Sequence, residues 1–214
     1  MKKIFKIVAQ ILACVMTLGI NVNAISFDDI MVSDLEKYTP EAYTFRIKND
    51  NKTYILLDEN IDENSSFLLL GKDSFGDVAF DLDASQVLNY DSENNIGHFL
   101  NTTCKDAINE KIGKALIAPI DLLNGTQWKK YCTKIGYDDN ITTTNGWWLN
   151  EPVDEYENSV HYVSKNGKVL METSSNTLAI RPLFRVGHEF FKNTQLDVDY
   201  MGVCVKEMLF NNFS

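Results

Sequence analysis

Val160-His161-Tyr162-Val163 is followed by Lys165-Asn166-Gly167-Lys168 and then by Val169-Leu170-Met171. This stretch places an Asn-Gly pair between two short alternating runs. Such a pair is typical of a tight β-hairpin in which both central residues have positive φ. The segment therefore predicts two antiparallel strands in the C-terminal half of the chain.

Two further strands are predicted on either side of this hairpin. Gly146-Trp147-Trp148-Leu149 precedes it, and Leu178-Ala179-Ile180-Arg181-Pro182-Leu183-Phe184 follows it. Pro182 has no N–H to donate to a ladder, so it predicts a sheet edge or a bulge. We expect the tryptophan strand and the arginine–proline strand to pack together in one sheet system.

The N-terminal half carries more strand signals. Residues 43–47 and 53–57 flank a polar turn and predict a second hairpin. Phe67-Leu68-Leu69-Leu70 is a continuous apolar run, typical of a strand that is buried on both faces. Residues 78–82 predict a further short strand, and residues 116–118 predict one that ends before Pro119.

The main predicted helix covers about residues 92–113. Its apolar residues recur at intervals of three and four and form one stripe, made of Ile96, Phe99, Leu100, Cys104, Ala107, Ile108 and Ile112. Asp91 or Ser92 is the expected N-cap, and Gly113 suits the C-terminal end.

A shorter helix is predicted over about residues 121–132, weakened by Gly125. The tail, residues 190–210, predicts a strand and a terminal helix. No repeat and no Pro/Gly-rich linker interrupts the chain. The pattern predicts an α+β fold with mixed or antiparallel sheets, in a single domain over residues 43–214 that follows an N-terminal extension, residues 25–42.

The first 24 residues are typical of a secretory signal peptide. Lys2, Lys3 and Lys6 precede an apolar run that reaches Ile20, and Val22-Asn23-Ala24 resembles a small-residue cleavage site. A lipoprotein signal ending at Cys14 is a less favoured alternative, because the residues after it stay apolar. We therefore expect the protein to be secreted or associated with the cell surface, with no integral membrane segment after cleavage.

Charge limits the partners. The chain is 44% hydrophobic and has 20 basic and 30 acidic residues. Removal of residues 1–24 takes three lysines and no acid, which leaves a formal charge of −13. Such a surface repels phosphate backbones and anionic membranes, so nucleic acid is not an expected partner. Cys104, Cys132 and Cys204 remain; one disulfide among them is an open alternative, and the sequence does not choose a pair.

Several segments resemble an uncharacterised bacterial extracellular domain family. Gly146-Trp147-Trp148-Leu149-Asn150-Glu151-Pro152 is similar to its motif W-W-L-R-S-P, and Ala179-Ile180-Arg181-Pro182-Leu183 to its motif G-V-R-P-A. Residues 91–101 resemble its helix motif, S-x-x-R-x-W-L-N, and residues 116–131 its L-L-S strand followed by an acidic helix. The resemblance covers about residues 43–186. It implies a C-type-lectin-like fold, related in shape to the formylglycine-generating enzymes, but no known activity.

Departures from these motifs affect the arginines of the family. His98 replaces the arginine of the helix motif, and Asn150 replaces the one after W-W-L. Glu151 stands in place of the serine, and Ala179 in place of the glycine. Roles that depend on those family arginines are therefore not carried over to this chain.

The segment 148–157 contains the candidate ligand-binding residues. Adjacent tryptophans on a strand point to opposite faces, so one ring is expected in the core. If the other faces outward, it offers a platform for a sugar. The candidate ligand-binding residues are Trp148, Asn150, Glu151, Asp154 and Tyr156, and the residues assigned structural roles are Trp147, Arg181 and Pro182. Arg181, inside an apolar strand, is expected to bind a carboxylate or several carbonyls.

Calcium is the cofactor that the acidic loops suggest, although a solvated acidic face explains them more simply and no cofactor is the default expectation. The available carboxylates are Asp81, Asp83, Asp138, Asp139, Asp154 and Glu157. No metal-ligand spacing, nucleophile motif or phosphate loop is present in the sequence.

Three functions follow. The leading one is a secreted, non-catalytic binding module that recognises a glycan or a surface protein outside the cell. An extracellular hydrolase with two dispersed carboxylates is the first alternative, since such pairs are set only by the fold. A structural domain of the cell envelope is the second.

Overall fold

A computed structural model describes residues 40–60, 66–136 and 146–213. These residues belong to one compact unit, Leu35–Ser214. The predicted signal peptide and most of the extension lie outside the described residues, as do Asp138 and Asp139. Within the described ranges, no helix combines the length and the apolar character that a membrane span requires.

The described strands form two open, five-stranded sheets. They are β1 Thr44–Arg46, β2 Thr53–Asn60, β3 Ser66–Gly71, β4 Asp77–Ala79, β5 Leu116–Asp121, β6 Trp147–Pro152, β7 Ser159–Val163, β8 Val169–Thr173, β9 Thr177–Ala179 and β10 Leu183–Gly187. The first sheet has the order β1-β2-β3-β10-β5 and is antiparallel throughout. The second has the order β4-β9-β6-β7-β8, in which only β6 and β9 run parallel. The α+β prediction is confirmed.

The described helices are α1 Ile96–Phe99, α2 Lys105–Ile112, α3 Gly125–Ile135, α4 Phe190–Asn193 and α5 Val203–Phe213, with 3-10 turns at Pro40–Tyr43, Gly113–Ala115 and Val198–Tyr200. A π-helical turn, Leu100–Cys104, joins α1 to α2, so the predicted helix is continuous from 96 to 112. It begins later than expected, because Asn95 is its N-cap and accepts a hydrogen bond from the Gly97 N–H at 2.9 Å.

Helix α3 also begins later than predicted. Asn124 is its N-cap and forms a capping box with Gln127. Gly125 is therefore the first residue of the helix and does not weaken its interior. The helix ends at Ile135 instead of 132.

Helices cover both faces of the first sheet. Strand β3 is central and buried along its whole length, as its apolar run predicted. On one face the stripe of the 96–112 helix, apart from Ala107, joins a cluster that includes Leu69 and Phe184. Ala107 was expected in the stripe but is exposed. On the other face, Trp128 and Tyr131 of α3 pack against a cluster that includes Leu68. The buried Cys104 belongs to the first cluster, and no disulfide forms among the three cysteines of the described residues.

Three local predictions are wrong in detail. In the 160–171 hairpin, Gly167 has positive φ and Asn166 does not. The Gly167 N–H donates to Ser164 O at 2.9 Å and Ser164 N–H donates to Lys168 O at 2.8 Å, the pattern of a type I turn followed by a G1 bulge. Strand β5 also continues through Pro119. It can do so because it is an edge strand with a register irregularity opposite β10.

The predicted strand 178–184 is two strands. Strand β9 belongs to the second sheet and β10 to the first, and Ile180-Arg181-Pro182 carries the chain from one to the other. Pro182 thus marks a change of sheet. In the tail, Leu196 makes a single bridge to Ile47, and α5 is the terminal helix.

Candidate functional site

Trp147 and Trp148 lie on opposite faces of β6, and both are buried. Trp148 is 0% exposed, stacks edge-on against Phe80 at 5.7 Å and donates its indole N–H to Val78 O at 2.9 Å. Trp147 is 1% exposed and packs edge-on against Trp128 at 5.7 Å. The interpretation of Trp148 as an outward platform is wrong, because full burial leaves no ring face for a sugar.

Asn150 and Glu151 attach β6 to the segment between β5 and α3. The Asn150 side chain donates to Asp121 Oδ1 at 3.0 Å, and its backbone N–H donates to Leu123 O at 2.8 Å. The Glu151 carboxylate accepts a hydrogen bond from the Gly125 N–H at the start of α3. A negative charge is favourable there, because the helix dipole is positive at its N-terminus. These two candidate residues are therefore already bonded within the protein.

Asp121 is a carboxyl in this region whose pKa departs from its ordinary value. Burial raises its pKa, and hydrogen bonds from Leu122 and Asn150 act in the opposite direction. The Tyr90 hydroxyl donates to Ile120 O at 3.2 Å, and burial followed by the charge of Asp121 raises the pKa of Tyr90. A carboxyl of raised pKa can serve as a general acid, so the hydrolase alternative stays a prediction.

The loop that follows β6 is held by Gln86. Its side-chain Nε2 donates to Tyr156 O at 2.6 Å, to Ser159 O at 2.7 Å and to Val153 O at 3.2 Å. Tyr156 is 52% exposed, and Asp154 is exposed as well. Asn150 and Glu151 are partly buried, so Asp154 and Tyr156 are the most exposed of the candidate ligand-binding residues, and their role stays a prediction.

Arg181 and Pro182 lie in the buried crossover between the sheets. Arg181 is 2% exposed, its Nε donates to Gly71 O at 2.9 Å, and its guanidinium carbon lies 4.5 Å from the centre of the Trp147 ring. The Gly71 N–H in turn donates to Pro182 O at 2.9 Å. A backbone carbonyl and an aromatic face thus contact the guanidinium, and the expectation of a carboxylate or several carbonyls around it stays a prediction.

The acids suggested for calcium do not converge within the part of the chain that the structure describes. Asp81 is buried and accepts hydrogen bonds from the Asp83 N–H at 2.6 Å and from the Asn95 side chain. Asp154 and Glu157 lie in the exposed loop after β6. No group of three or more metal-ligating side chains occurs among the described residues.

A cleft of about 660 Å³ lies where three segments that are distant in sequence meet. Residues 47–49 follow β1, residues 110–115 cover the end of the long helix and the 3-10 turn after it, and residues 189–195 include α4. Backbone bonds fix the first wall to the third, since Lys48 N–H donates to Gln195 O at 2.9 Å and Ile47 bridges to Leu196. We call this feature the lysine cleft, for the residues described next.

The lysine cleft differs in charge from the chain as a whole. Its lining contains Lys48, Lys111 and Lys114 against Glu110 and Glu189. Both glutamates already have partners: Glu110 pairs with Lys111 at 2.8 Å, and Glu189 with Lys192 at 3.2 Å. Among the described residues, Lys48 and Lys114 make no ion pair, and both are exposed. An anionic ligand group would meet uncompensated ammonium groups here.

Amide and hydroxyl groups complete the lining, with Asn49, Asn193, Thr194 and Gln195 around the buried ring of Phe190. These side chains supply both donors and acceptors. No signal in the sequence marks the site, because its lysines come from two segments about sixty residues apart and form no motif. The positions of the charges follow from the fold alone.

Part of the chain matches a protein-family model. A model described as a domain of unknown function (DUF6273) matches residues 114–187, less than half of the chain. The matched span runs from the 3-10 turn before β5 through β10 and includes both the Trp-Trp-Leu and the Ile-Arg-Pro segments. No curated protein and no solved structure matches the chain.

Proposed function

We propose that this chain is a secreted, non-catalytic binding domain that recognises an acidic glycan in the lysine cleft. The observation that carries the proposal is that Lys48 and Lys114, which make no ion pair among the described residues, lie at one concave site of a strongly acidic chain. The proposal includes a C-type-lectin-like arrangement of the two sheets and helices. The lysine cleft, and not the buried Trp148, is the proposed site of recognition.

Export is supported by the basic and then apolar start of the sequence. Lys2, Lys3 and Lys6, followed by an apolar run and Val22-Asn23-Ala24, are typical of a signal peptide. Glycans and surface proteins are the ligands most readily available to a secreted or cell-surface protein. The acidic remainder of the surface disfavours nucleic acid and anionic membrane.

The size and chemistry of the cleft support a sugar ligand. Its volume of about 660 Å³ lies within the range of roughly 300–1,000 Å³ that is usual for small-ligand sites. Lys48 and Lys114 can donate to a carboxylate, and the amides Asn49, Asn193 and Gln195 can exchange hydrogen bonds with hydroxyls. A sugar chain that carries uronic acid residues presents both groups.

The carboxylates of the cleft favour binding over hydrolysis. A glycosidase needs one carboxyl whose pKa is raised so that it stays protonated. The hydrogen bond and charge of Lys111 instead lower the pKa of Glu110. Glu189 pairs with Lys192 at 3.2 Å.

Glycan-array and calorimetric measurements on the full-length chain test the proposal, with acidic and neutral oligosaccharides compared. We expect the acidic set to bind and the affinity to fall with added salt, since exposed charges are screened. Lys48→Gln combined with Lys114→Gln is expected to weaken binding at least tenfold, because a charge-assisted hydrogen bond contributes about 1.5–3 kcal/mol. Lys165→Gln, in the exposed hairpin turn, removes the same charge elsewhere and is expected to bind like the parent chain.

Two outcomes would reject the proposal: no binding of any acidic oligosaccharide, or equal affinity in the parent chain and the double variant. Loss of binding in Tyr156→Ala instead would move the site to the loop after β6. Release of new reducing ends from the bound sugar would favour the hydrolase alternative. A surface protein as ligand would be indicated by capture on protein arrays with silence on the glycan array.

A further inference from the structure

Strand β8, Val169–Thr173, is an apolar edge that the rest of the described chain leaves uncovered. It is the last strand of the second sheet and pairs only with β7 among the described strands. Val169, Leu170 and Met171 are 41%, 45% and 51% exposed. Natural edge strands usually carry a lysine, a proline or a bulge that blocks further pairing, and these three consecutive residues include none.

The backbone of β8 has its outward hydrogen-bonding groups at odd-numbered positions. The hairpin closes with Ser164 N–H bonded to Lys168 O at 2.8 Å, and the register places Val163 opposite Val169. Bonded and non-bonded pairs alternate along an antiparallel ladder, so Leu170 bonds towards β7 while Val169 and Met171 face outward. Thr173 agrees with this alternation, because its backbone N–H donates to the Glu172 side chain at 2.9 Å instead of to β7.

The sequence of the edge is complementary to itself in charge. Lys168 and Glu172 flank the three apolar residues at equal distances from Leu170. In an antiparallel pair centred on Leu170, Lys168 of each copy lies opposite Glu172 of the other. All four of these charged side chains then lie on the face that also carries the two leucines, because positions 168, 170 and 172 share one side of the strand.

The same centre satisfies the hydrogen bonds. It places Val169 opposite Met171 of the second copy, and both residues have outward backbone groups. The two pairs would exchange four N–H···O bonds, and Leu170 would meet its own copy at a non-bonded position, where side chains approach most closely. A pair centred on Val169 or Met171 also satisfies the backbone, but it sets Lys168 and Glu172 out of register.

We propose that the chain forms a two-fold symmetric dimer in which β8 pairs antiparallel with β8 of a second copy, in the register that sets Lys168 against Glu172. The two copies of the second sheet would then be continuous across the interface. One five-residue strand gives less contact area than a stable interface, which buries about 1,200–2,000 Å² in total. We therefore expect a reversible dimer with a dissociation constant on the order of 100 μM.

Sedimentation velocity of the full-length chain from about 10 μM to about 1 mM tests the proposal over the range that such a constant requires. Lys168→Glu is expected to raise the dissociation constant at least tenfold, because like charges then face each other twice per dimer. Glu172→Lys should do the same. An equimolar mixture of the two variants should restore the dimer, because every contact between positions 168 and 172 of the mixed pair again joins a glutamate to a lysine.

Lys165→Glu is the matched control, because it makes the same change of charge in the turn, outside the ladder. A chain that stays monomeric at about 1 mM would overturn the proposal, and so would a dimer that both single variants retain. Restoration by the mixture separates a second copy from a foreign peptide on the same edge. Neither variant touches the lysine cleft, so failure here leaves the glycan proposal standing, and the reverse also holds.

Discussion

Replacement of Trp148 by phenylalanine separates a structural role of this residue from a ligand-binding one. The structure predicts a loss of stability from two sources. The variant loses the hydrogen bond from the indole N–H to Val78 O, whose net contribution is about 1 kcal/mol. The smaller ring also packs less completely against Phe80, in a site with 0% exposure, which costs roughly a further 1–2 kcal/mol.

Together these terms predict a decrease of about 2–3 kcal/mol in the free energy of unfolding. The slope of unfolding in urea is about 2 kcal/mol per molar for a domain of this kind, so the midpoint should fall by roughly 1–1.5 M. Far-UV circular dichroism is the suitable measurement, since fluorescence would change with the number of tryptophans. Tyr156→Phe, at an exposed position, is the control and should stay within about 0.5 kcal/mol of the parent chain.

Two results would refute this reasoning. The first is an unchanged urea midpoint in Trp148→Phe, which would mean that the ring contributes little to the core. The second is a folded variant of normal stability that has lost ligand binding. In that case the outward-platform interpretation would return, and the burial of the Trp148 ring would have to be abandoned.

Two further predictions concern stability. Asp121→Asn should raise the urea midpoint at pH 7 or leave it unchanged, because both donors to Asp121 contact Oδ1, an atom that asparagine retains as a carbonyl oxygen. The folded-state pKa of Asp121 is raised, so the contribution of this carboxyl to stability is largest at low pH and is lost as pH rises. Any gain in stability of Asp121→Asn at pH 7 should therefore vanish in unfolding curves measured near pH 3. Gly97→Ala should destabilise by roughly 1–3 kcal/mol, because its Cβ would lie 2.7 Å from the backbone of Asn89. Gly187→Ala is the control, with its nearest neighbour at 3.9 Å, and equal midpoints for the two alanine variants would contradict the steric argument.

The sequence predicts those parts of the fold whose signals are local. The run Phe67-Leu68-Leu69-Leu70 predicts a strand covered on both faces, because no polar alternation marks a solvent side, and β3 is such a strand. Gly167 predicts the hairpin, although the turn type depends on which of two adjacent residues takes positive φ. The helix stripe from Ile96 to Ile112 is likewise visible, because its period is that of the helix itself.

The candidate site could not be predicted in the same way, because burial depends on what covers a strand. The period of β6 places Trp147 and Trp148 on opposite faces, as observed. The alternation of side chains along β6 does not predict that α3 covers one face of the strand and that Phe80 covers the other. The grouping of the cleft lysines is harder still to predict from sequence. The walls of the cleft are brought together by a long-range contact, the bridge from Ile47 to Leu196.

The crossover 180–182 shows why one continuous signal became two strands. Hydrophobicity runs almost unbroken from Leu178 to Phe184, so pattern alone favours a single strand. The chain changes sheet because the end of β3 and the loop after it bond each residue of the crossover. Phe75 N–H, in the loop, donates to Ile180 O at 2.9 Å, and Gly71, the last residue of β3, bonds both Arg181 and Pro182. Pro182 lacks the N–H that a ladder would need, and Arg181 must bury a charge. Both residues therefore disfavour a continuous ladder at this point, and the segment that contains them connects the two sheets.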